Sequence, residues 1–181
     1  AWAVNKHKFV PILKLAGNLQ YVLVSRRNDI DIFEIRDLAR KRICTSKAPN
    51  LDFILASRAL SSSLNSPIIV AKKSAAAAMI ANDEDCDAFA VSEHTYIKFS
   101  RKEPYKFIRL QQGKKHQNYA FIGSPNIDGD TLNRLKKVLL STEISTLLAP
   151  LYSHYSLKPR LVRAQNKDFI NIPNEYLNKA W

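Results

Sequence analysis

The chain has 181 residues, 46% of them hydrophobic and 24% charged, which is enough for one substantial core or two small lobes. Its 28 Lys and Arg residues outnumber its 16 Asp and Glu residues, so the formal net charge is +12. No apolar run approaches the roughly 20 residues that a transmembrane helix needs, so the sequence predicts no membrane span. The basic residues are spread along the chain, which is typical of a solvated surface or of one that binds an anionic ligand, a nucleic acid or a membrane.

The chemistry-bearing residue types form no known catalytic or metal-binding motif. Cys44 and Cys86 are too few for a disulfide scaffold and match no metal spacing, and the four His residues are scattered. We interpret the two cysteines as semi-buried thiols, with a single disulfide as the alternative. The sequence also lacks a nucleophile elbow, a P-loop and a zinc spacing, so it predicts no enzymatic activity, no cofactor and no metal.

Strand and helix patterns alternate between Tyr21 and Ser92. β-Branched apolar runs predict strands at "YVLVSRR", "KRICTS", "PIIVA" and "AFAVS". Helical spacing predicts helices at "IFEIRDLAR", after Asn50 and at Ala75–Ala81, with Asn50 and Ser74 as N-caps. Such alternation indicates a mostly parallel sheet with helices on its faces.

Two further strands, "YKFIRL" and "NYAFIGS", precede a helix that starts near Thr131. That helix carries Leu132, Leu135, Val138 and Leu139 on one face. The acidic loop "NDED" before the last strand of the alternating region is expected on the blunt side of the sheet, where Asp85 and Asp87 would accept hydrogen bonds from loop amides.

Ligands of parallel α/β sheets bind beyond the carboxyl ends of the strands, so the loops that follow three predicted strands are the candidate site. The candidate ligand-binding residues are Thr45, Ser46, Lys47, Lys73, Ser74, Ser92 and Glu93. Each has a structural alternative as a helix cap, a turn or a surface charge. Trp2 is a candidate aromatic wall of the cleft, with a core position as its alternative.

The order of these segments resembles the type 2 periplasmic binding proteins of the phosphate/phosphonate ABC transporter family. In this sequence "YVLVSRR" precedes "IRDLARKRICTS", a helix and a strand follow, and a helix of small residues leads into "DCDAFAV". The return segment "YKFIRLQQGKKHQNYAFIGSPNIDGDTLNRLKKVLL" is similar to the passage of that family back to its first lobe. The resemblance covers Leu19 to Leu140 and rests on the order of the segments.

The resemblance implies an α/β protein with the type 2 periplasmic-binding-protein fold, in which two hinge strands join two lobes. Lobe two would comprise residues 28–110, and residues 1–27 and 111–181 would form part of lobe one with a C-terminal tail. Tyr21–Arg27 and Asn118–Ser124 would be the two connections and lie side by side. The family has further residues before the point where this chain begins, so lobe one is expected to be incomplete and the helix Thr131–Leu140 to expose part of its apolar face.

The resemblance further implies the solute-binding component of an ABC transporter, periplasmic or otherwise extracytoplasmic, with a permease as partner. Its ligand would be a small anionic or zwitterionic, phosphonate-like molecule in a cleft between the lobes. The family's loop is rich in Ser and Thr and has a Gly, whereas Lys47, Ala48 and Pro49 stand here and Pro49 lacks an N–H donor. Lys47 or Lys73 is therefore expected to hold the anion, and Glu93 to receive an amine of the ligand.

Two alternatives to a transport protein remain open at the level of the sequence. One is a sensory ligand-binding domain of a signalling protein. The other is a nucleic-acid-binding protein that uses the basic surface, although the aromatic residues are not interleaved with the basic ones and no reader motif occurs.

Overall fold

The computed structural model describes residues 2–47, 50–59, 67–150 and 161–170, which fall into two compact units. Of these residues, unit 1 contains 2–18, 116–150 and 161–170, and unit 2 contains those from Leu19 to Lys115. The chain therefore passes between the units twice, with a short strand at each crossing: β2 (Asn18–Leu19) and β8 (His116–Gln117). The boundaries predicted after residues 27 and 110 lie inside unit 2 instead.

Unit 1 is built on a three-stranded antiparallel sheet in the order β10–β1–β9. Its strands are β1 (Val10–Leu15), β9 (Ala120–Gly123) and β10 (Leu161–Arg163), and its helices are α1 (Trp2–His7), α5 (Gly129–Leu139), α6 (Thr142–Leu147) and α7 (Lys167–Ile170). Four of the six residues of the central strand β1 are buried. No helix in the described part of the chain has the length and apolar character needed to cross a membrane.

A largely buried ion pair lies in unit 1. The Lys14 ammonium contacts the Asp168 carboxylate at 2.9 Å and donates a hydrogen bond to Gln117 Oε1 at 2.7 Å. Burial raises the pKa of Asp168, but the bonds that it accepts from Lys14 and from the Gln165 N–H outweigh burial and hold the pKa below its usual range. The ionised carboxylate therefore stabilises the folded state.

Helix α5 is amphipathic, and none of its residues is buried. Asp128 caps its N-terminus by accepting a hydrogen bond from the Thr131 N–H at 2.8 Å. On the apolar face, Val138 is 52% exposed and Leu135 is 37% exposed. The partly exposed apolar face that the sequence predicted for this helix is present.

Unit 2 is built on a five-stranded sheet in the order β5–β4–β6–β3–β7. The strands are β3 (Tyr21–Arg26), β4 (Arg42–Ser46), β5 (Ile68–Lys72), β6 (Ala88–Ser92) and β7 (Phe107–Gln112), and the helices are α2 (Leu51–Ala59), α3 (Ala75–Ala81) and α4 (Glu93–Ser100). Strand β4 pairs in parallel with both β5 and β6. All the strands that the sequence predicted in this region are present.

Strand β3 corrects the prediction of a mostly parallel sheet, because it pairs antiparallel with both β6 and β7. The predicted helix between β3 and β4 is only a short 3-10 helix, Ile35–Leu38. A parallel return normally needs a full crossover helix, and this connection has none. The apolar residues that suggested a helix instead anchor the connection, since Ile32 and Leu38 are fully buried.

The two segments predicted to connect the lobes do not pair with each other. Strand β3, in the first predicted connection, belongs to the sheet of unit 2, and β9, in the second, belongs to the sheet of unit 1.

Cys44 and Cys86 form a disulfide with a Cα–Cα distance of 5.5 Å, so the interpretation as two thiols is wrong and its alternative is correct. Both residues are fully buried, in a cluster with Met79 and Phe89. The bond joins β4 to the segment that leads into β6. It therefore reinforces a pairing between strands that are far apart in sequence.

The acidic loop before β6 neutralises basic side chains of the sheet. Asp87 accepts hydrogen bonds from the Arg42 backbone N–H at 2.6 Å and from its guanidinium, which contacts the carboxylate at 3.1 Å. The Lys72 ammonium lies 2.9 Å from Asp83 and 3.0 Å from Asp85. The hydrogen bond from Lys72 lowers the pKa of Asp83 more than the smaller opposing effect of burial raises it. The predicted amide contact is present for Asp87, whereas Asp85 pairs with a lysine.

We expect loss of the disulfide to destabilise unit 2. The bond closes a loop with a sequence separation of 42, and the chain-entropy relation assigns about 4 kcal/mol to a loop of that length. Cys44→Ala/Cys86→Ala should lower the free energy of unfolding by about that amount, measured by urea denaturation. A reductant should lower the stability of the wild type and leave that of the double variant unchanged; equal sensitivity of both would contradict the bond.

We also expect stability to fall in acid. The pKa of Asp168 in the folded chain is below the ordinary value of about 3.9, so its contribution is present above that pH and is lost as pH falls through the folded pKa. Asp168→Asn should cost about 1–3 kcal/mol at pH 7 and much less at pH 2. The exposed Asp31→Asn is the control, and a cost of Asp168→Asn that is independent of pH between 2 and 7 would refute the role of its charge.

Candidate functional site

Two of the three candidate loops meet at the carboxyl edge of the unit 2 sheet. Ser46 at the end of β4 lies opposite Lys72 at the end of β5 in the parallel register. The Ala75 N–H at the start of α3 points to Ser46 Oγ at 3.4 Å. The loop after β4 and the loop after β5 are therefore in contact, as the parallel pairing predicted.

The third loop lies at the same edge but has other neighbours. Ser92 at the end of β6 pairs with Tyr21, and the Glu93 N–H donates to the Gln20 carbonyl at 2.8 Å. Glu93 Oε1 accepts a hydrogen bond from Gln112 at 2.5 Å and lies 3.5 Å from the Arg109 guanidinium. These internal partners use one of the two oxygens of the carboxylate that was predicted to receive a ligand amine.

Two candidate hydroxyl groups cap helices. Ser74 Oγ accepts a hydrogen bond from the Ala77 N–H at 3.2 Å, at the start of α3. Ser92 Oγ accepts one from the Thr95 N–H at 3.1 Å, at the start of α4. Capping uses an oxygen lone pair, so the Ser74 hydroxyl proton stays available as a donor.

Two lysines supply positive charge to the loops. Lys47 and Lys73 follow β4 and β5 and are both exposed. Neither has an ion-pair partner within the described ranges, in contrast to Lys72, which has two. The carboxyl edge therefore carries two lysine ammonium groups whose charges are not neutralised by the described residues.

Thr45 and Trp2 differ from the other candidates in their surroundings. Thr45 is fully buried in β4, and its Oγ1 makes no hydrogen bond with any described residue. It is on the same side of the strand as Ile43, which is the side covered by α2. Trp2 is in helix α1 of unit 1, and its side chain lies outside the described part of the structure.

Asp52, in the first turn of α2, is a polar group near this edge that is not among the candidate residues of the sequence analysis. Its side chain is buried, with the residue 3% exposed, and its Oδ2 accepts a hydrogen bond from the Ser46 N–H at 2.7 Å. No cationic side chain of the described ranges lies within ion-pair distance of it. The only signal for it in the sequence is its position shortly after the loop "TSKAPN".

A small pocket with about 30 Å³ of free space, partly open to solvent, lies against Asp52 within unit 2. Helix α2 and strands β3, β6 and β7 form its walls, and its lining includes Tyr21, Asp52, Ala56, Ala90, Gln111 and Gly113. None of the lining residues is basic. Beside it, Gln20 donates to the Gly113 carbonyl at 2.7 Å, while the buried Gln20 Oε1 has no partner among the described residues.

The His, Cys, Asp and Glu side chains of the described ranges form no group of three that could bind a metal ion. The polar groups at this edge are hydroxyls, an amide, two ammonium groups and a buried carboxylate. Such groups recognise charged and hydrogen-bonding parts of an organic ligand.

We expect the capping serines to contribute to stability independently of any ligand. Ser74→Ala and Ser92→Ala should each lower the free energy of unfolding by about 1 kcal/mol, since each removes the acceptor of a helix N-terminal N–H. Ser74→Asp, which keeps a capping acceptor, should recover most of the loss in thermal unfolding. An unchanged stability of both alanine variants would show that the caps contribute nothing.

No protein-family model matches the sequence, and a comparison with curated proteins finds no significant match. Solved structures do match the fold. XAC2383 from Xanthomonas citri bound to ATP has a TM-score of 0.68 at 12% identity, covering 88% of this chain and 66% of that protein. An ancestral arginine-binding protein bound to arginine has a TM-score of 0.53 at 11% identity, covering 81% of this chain and 63% of that protein.

A third similar structure is the P235GK mutant of ArgBP from T. maritima, with a TM-score of 0.51 at 18% identity. It covers 83% of this chain and 63% of that protein, so the chain spans less than two thirds of the length of all three proteins. At these identities the similarity is one of fold. The chain is a mixed α/β protein with the fold of the two-lobe periplasmic binding proteins.

Proposed function

We propose that this chain belongs to a solute-binding protein and binds a small anionic or zwitterionic ligand at the carboxyl edge of the unit 2 sheet. The observation that carries the proposal is the contact between the loops after β4 and β5, where Ala75 meets Ser46. It is the position at which α/β sheets bind their ligands. Lys47, Lys73 and the hydroxyl groups of Ser46 and Ser74 supply the groups that bind an anion there.

The lysines compensate for a weaker set of backbone donors. In this loop the Ser46 N–H is already donated to Asp52, and Pro49 has no N–H to offer. An oxyanion would therefore rely on side chains more than on a cradle of amides. Ammonium groups bind phosphonate, phosphate or carboxylate as point charges, without the geometric demand of a bidentate donor.

The similar structures support a ligand-binding role of this kind. Two are arginine-binding proteins by name, and XAC2383 was solved with ATP. A phosphonate, an amino acid and a nucleotide all carry at least one anionic group. We therefore propose a binding protein rather than an enzyme, with an ABC transporter permease as its partner.

The disulfide supports an extracytoplasmic location for this binding protein. The Cys44–Cys86 bond is buried in the core of unit 2, and disulfides persist in oxidising compartments such as the periplasm. A structural bond of this type is rare in reducing cytoplasm. Transport and extracytoplasmic sensing both place a binding domain in such a compartment.

The test is calorimetric titration of the chain with methylphosphonate, 2-aminoethylphosphonate, arginine and ATP. We expect at least one of them to bind, and Lys47→Ala and Lys73→Ala to weaken it. A ligand-paired Lys should contribute roughly 2–5 kcal/mol of binding free energy.

Lys102→Ala is the matched control, since Lys102 is an exposed lysine of unit 2 away from the candidate loops. Binding that survives both loop substitutions would place the anion elsewhere. If oligonucleotides alone bind, with affinity that falls steeply with salt, a nucleic-acid-binding function replaces this proposal.

A further inference from the structure

The pocket beside α2 has a charge opposite to that of the whole chain. The chain carries a formal charge of +12, yet the pocket lining contains one carboxylate, that of Asp52, and no basic side chain. The nearby Gln20 Oε1 adds a second acceptor that has no partner among the described residues. Acceptors without donors are suited to a group that donates several hydrogen bonds.

The Asp52 carboxylate is incompletely satisfied in the described structure. It accepts one hydrogen bond, from the Ser46 N–H, whereas an ionised carboxylate has about four acceptor positions. The N-terminus of α2 supplies partial positive charge but no full counter-ion. A carboxylate buried to this extent normally has a charged partner.

The size of the pocket limits what it holds. Its free space is about 30 Å³, and a cavity needs at least roughly 10–15 Å³ on the same measure to hold one water molecule. The pocket therefore has room for a group of one or two heavy atoms, such as a single ammonium group of a larger ligand.

We infer that this pocket binds a primary ammonium group of the ligand, with Asp52 as its counter-ion. The inference rests on the proposed function, and it identifies the ligand as a zwitterion rather than a simple anion. Asp52 then has the role that the sequence assigned to Glu93, whose Oε1 is bonded to Gln112. The acidic group of the same ligand is held by Lys47, in the loop that Asp52 ties down through Ser46.

Two ligands that differ only in the ammonium group test the inference without any mutation. The wild-type chain should bind 2-aminoethylphosphonate roughly 10- to 100-fold more tightly than ethylphosphonate, as expected for hydrogen bonds to a charged partner. Asp52→Asn, which keeps an acceptor for the Ser46 N–H, should abolish that preference. The exposed Asp31→Asn removes the same charge elsewhere and should retain it.

Agmatine, which has cationic groups and no acid, separates this inference from the proposed function. If both phosphonates bind equally well and Asp52→Asn has no effect, the inference fails and the proposed function stands. If agmatine alone binds and Asp52→Asn abolishes that binding, the inference that the pocket binds an ammonium group is supported and the proposal of an anionic ligand is wrong. If none of the three probes binds, the inference is overturned, and if arginine, ATP and methylphosphonate also fail to bind, the proposed function is overturned with it.

Discussion

The parallel pairing of β4 with β5 on one side and β6 on the other is the constraint on which the rest of unit 2 depends. Strand β4 is fixed at three points along its length. Asp87 binds Arg42 at its start, the disulfide holds Cys44 in its middle, and the Asp52 carboxylate binds the Ser46 N–H at its end. Each contact joins β4 to an element that comes later in the chain. The loops at the carboxyl edge are thus positioned by a strand with little freedom to shift its register.

The distribution of charge follows from the same arrangement. The acidic loop before β6 neutralises Arg42 and Lys72, and the Arg26 guanidinium donates to the carbonyls of Asp83 and Cys86 in that loop at 2.5 Å. Charges that are used inside the protein in this way are not available to a ligand. Lys47 and Lys73 have no such partner among the described residues, so their charges remain available at the carboxyl edge.

The sequence predicts those parts of the fold that depend on local patterns. The strands of unit 2 are apolar, β-branched runs, and Ser74 is a helix cap in both the sequence and the structure. The direction of β3 was not predictable, because it depends on pairing with β6 and β7 rather than on the residues of β3 themselves. The disulfide was predicted only as an alternative to two thiols, since a separation of 42 residues provides no local signal for the bond.

The candidate site shows the same division between local and long-range information. The parallel order of β4, β5 and β6 follows from the alternation of strands and helices, and it places the three predicted loops at one edge. Tertiary packing decides that Glu93 accepts a hydrogen bond from Gln112, whereas Asp52 accepts one from the Ser46 N–H and has no cationic partner among the described residues. Residue type alone does not distinguish these two acids, although their surroundings give them different capacities for a ligand.

The unsatisfied polar groups of unit 2 connect ligand binding to stability. Two buried side-chain oxygens of unit 2 have no partner in the described structure: Thr45 Oγ1 in β4, and Gln20 Oε1, whose side chain donates to Gly113 at the pocket that Asp52 lines. A chain optimised for stability alone would replace such groups with apolar ones of the same shape, because an unmade buried hydrogen bond is unfavourable. A ligand that donates to them in the folded state and has no such site in the unfolded chain raises the free energy of unfolding as its concentration rises. The unmade hydrogen bonds lower the stability of the unliganded unit, and a ligand that donates hydrogen bonds to these oxygens would raise it again.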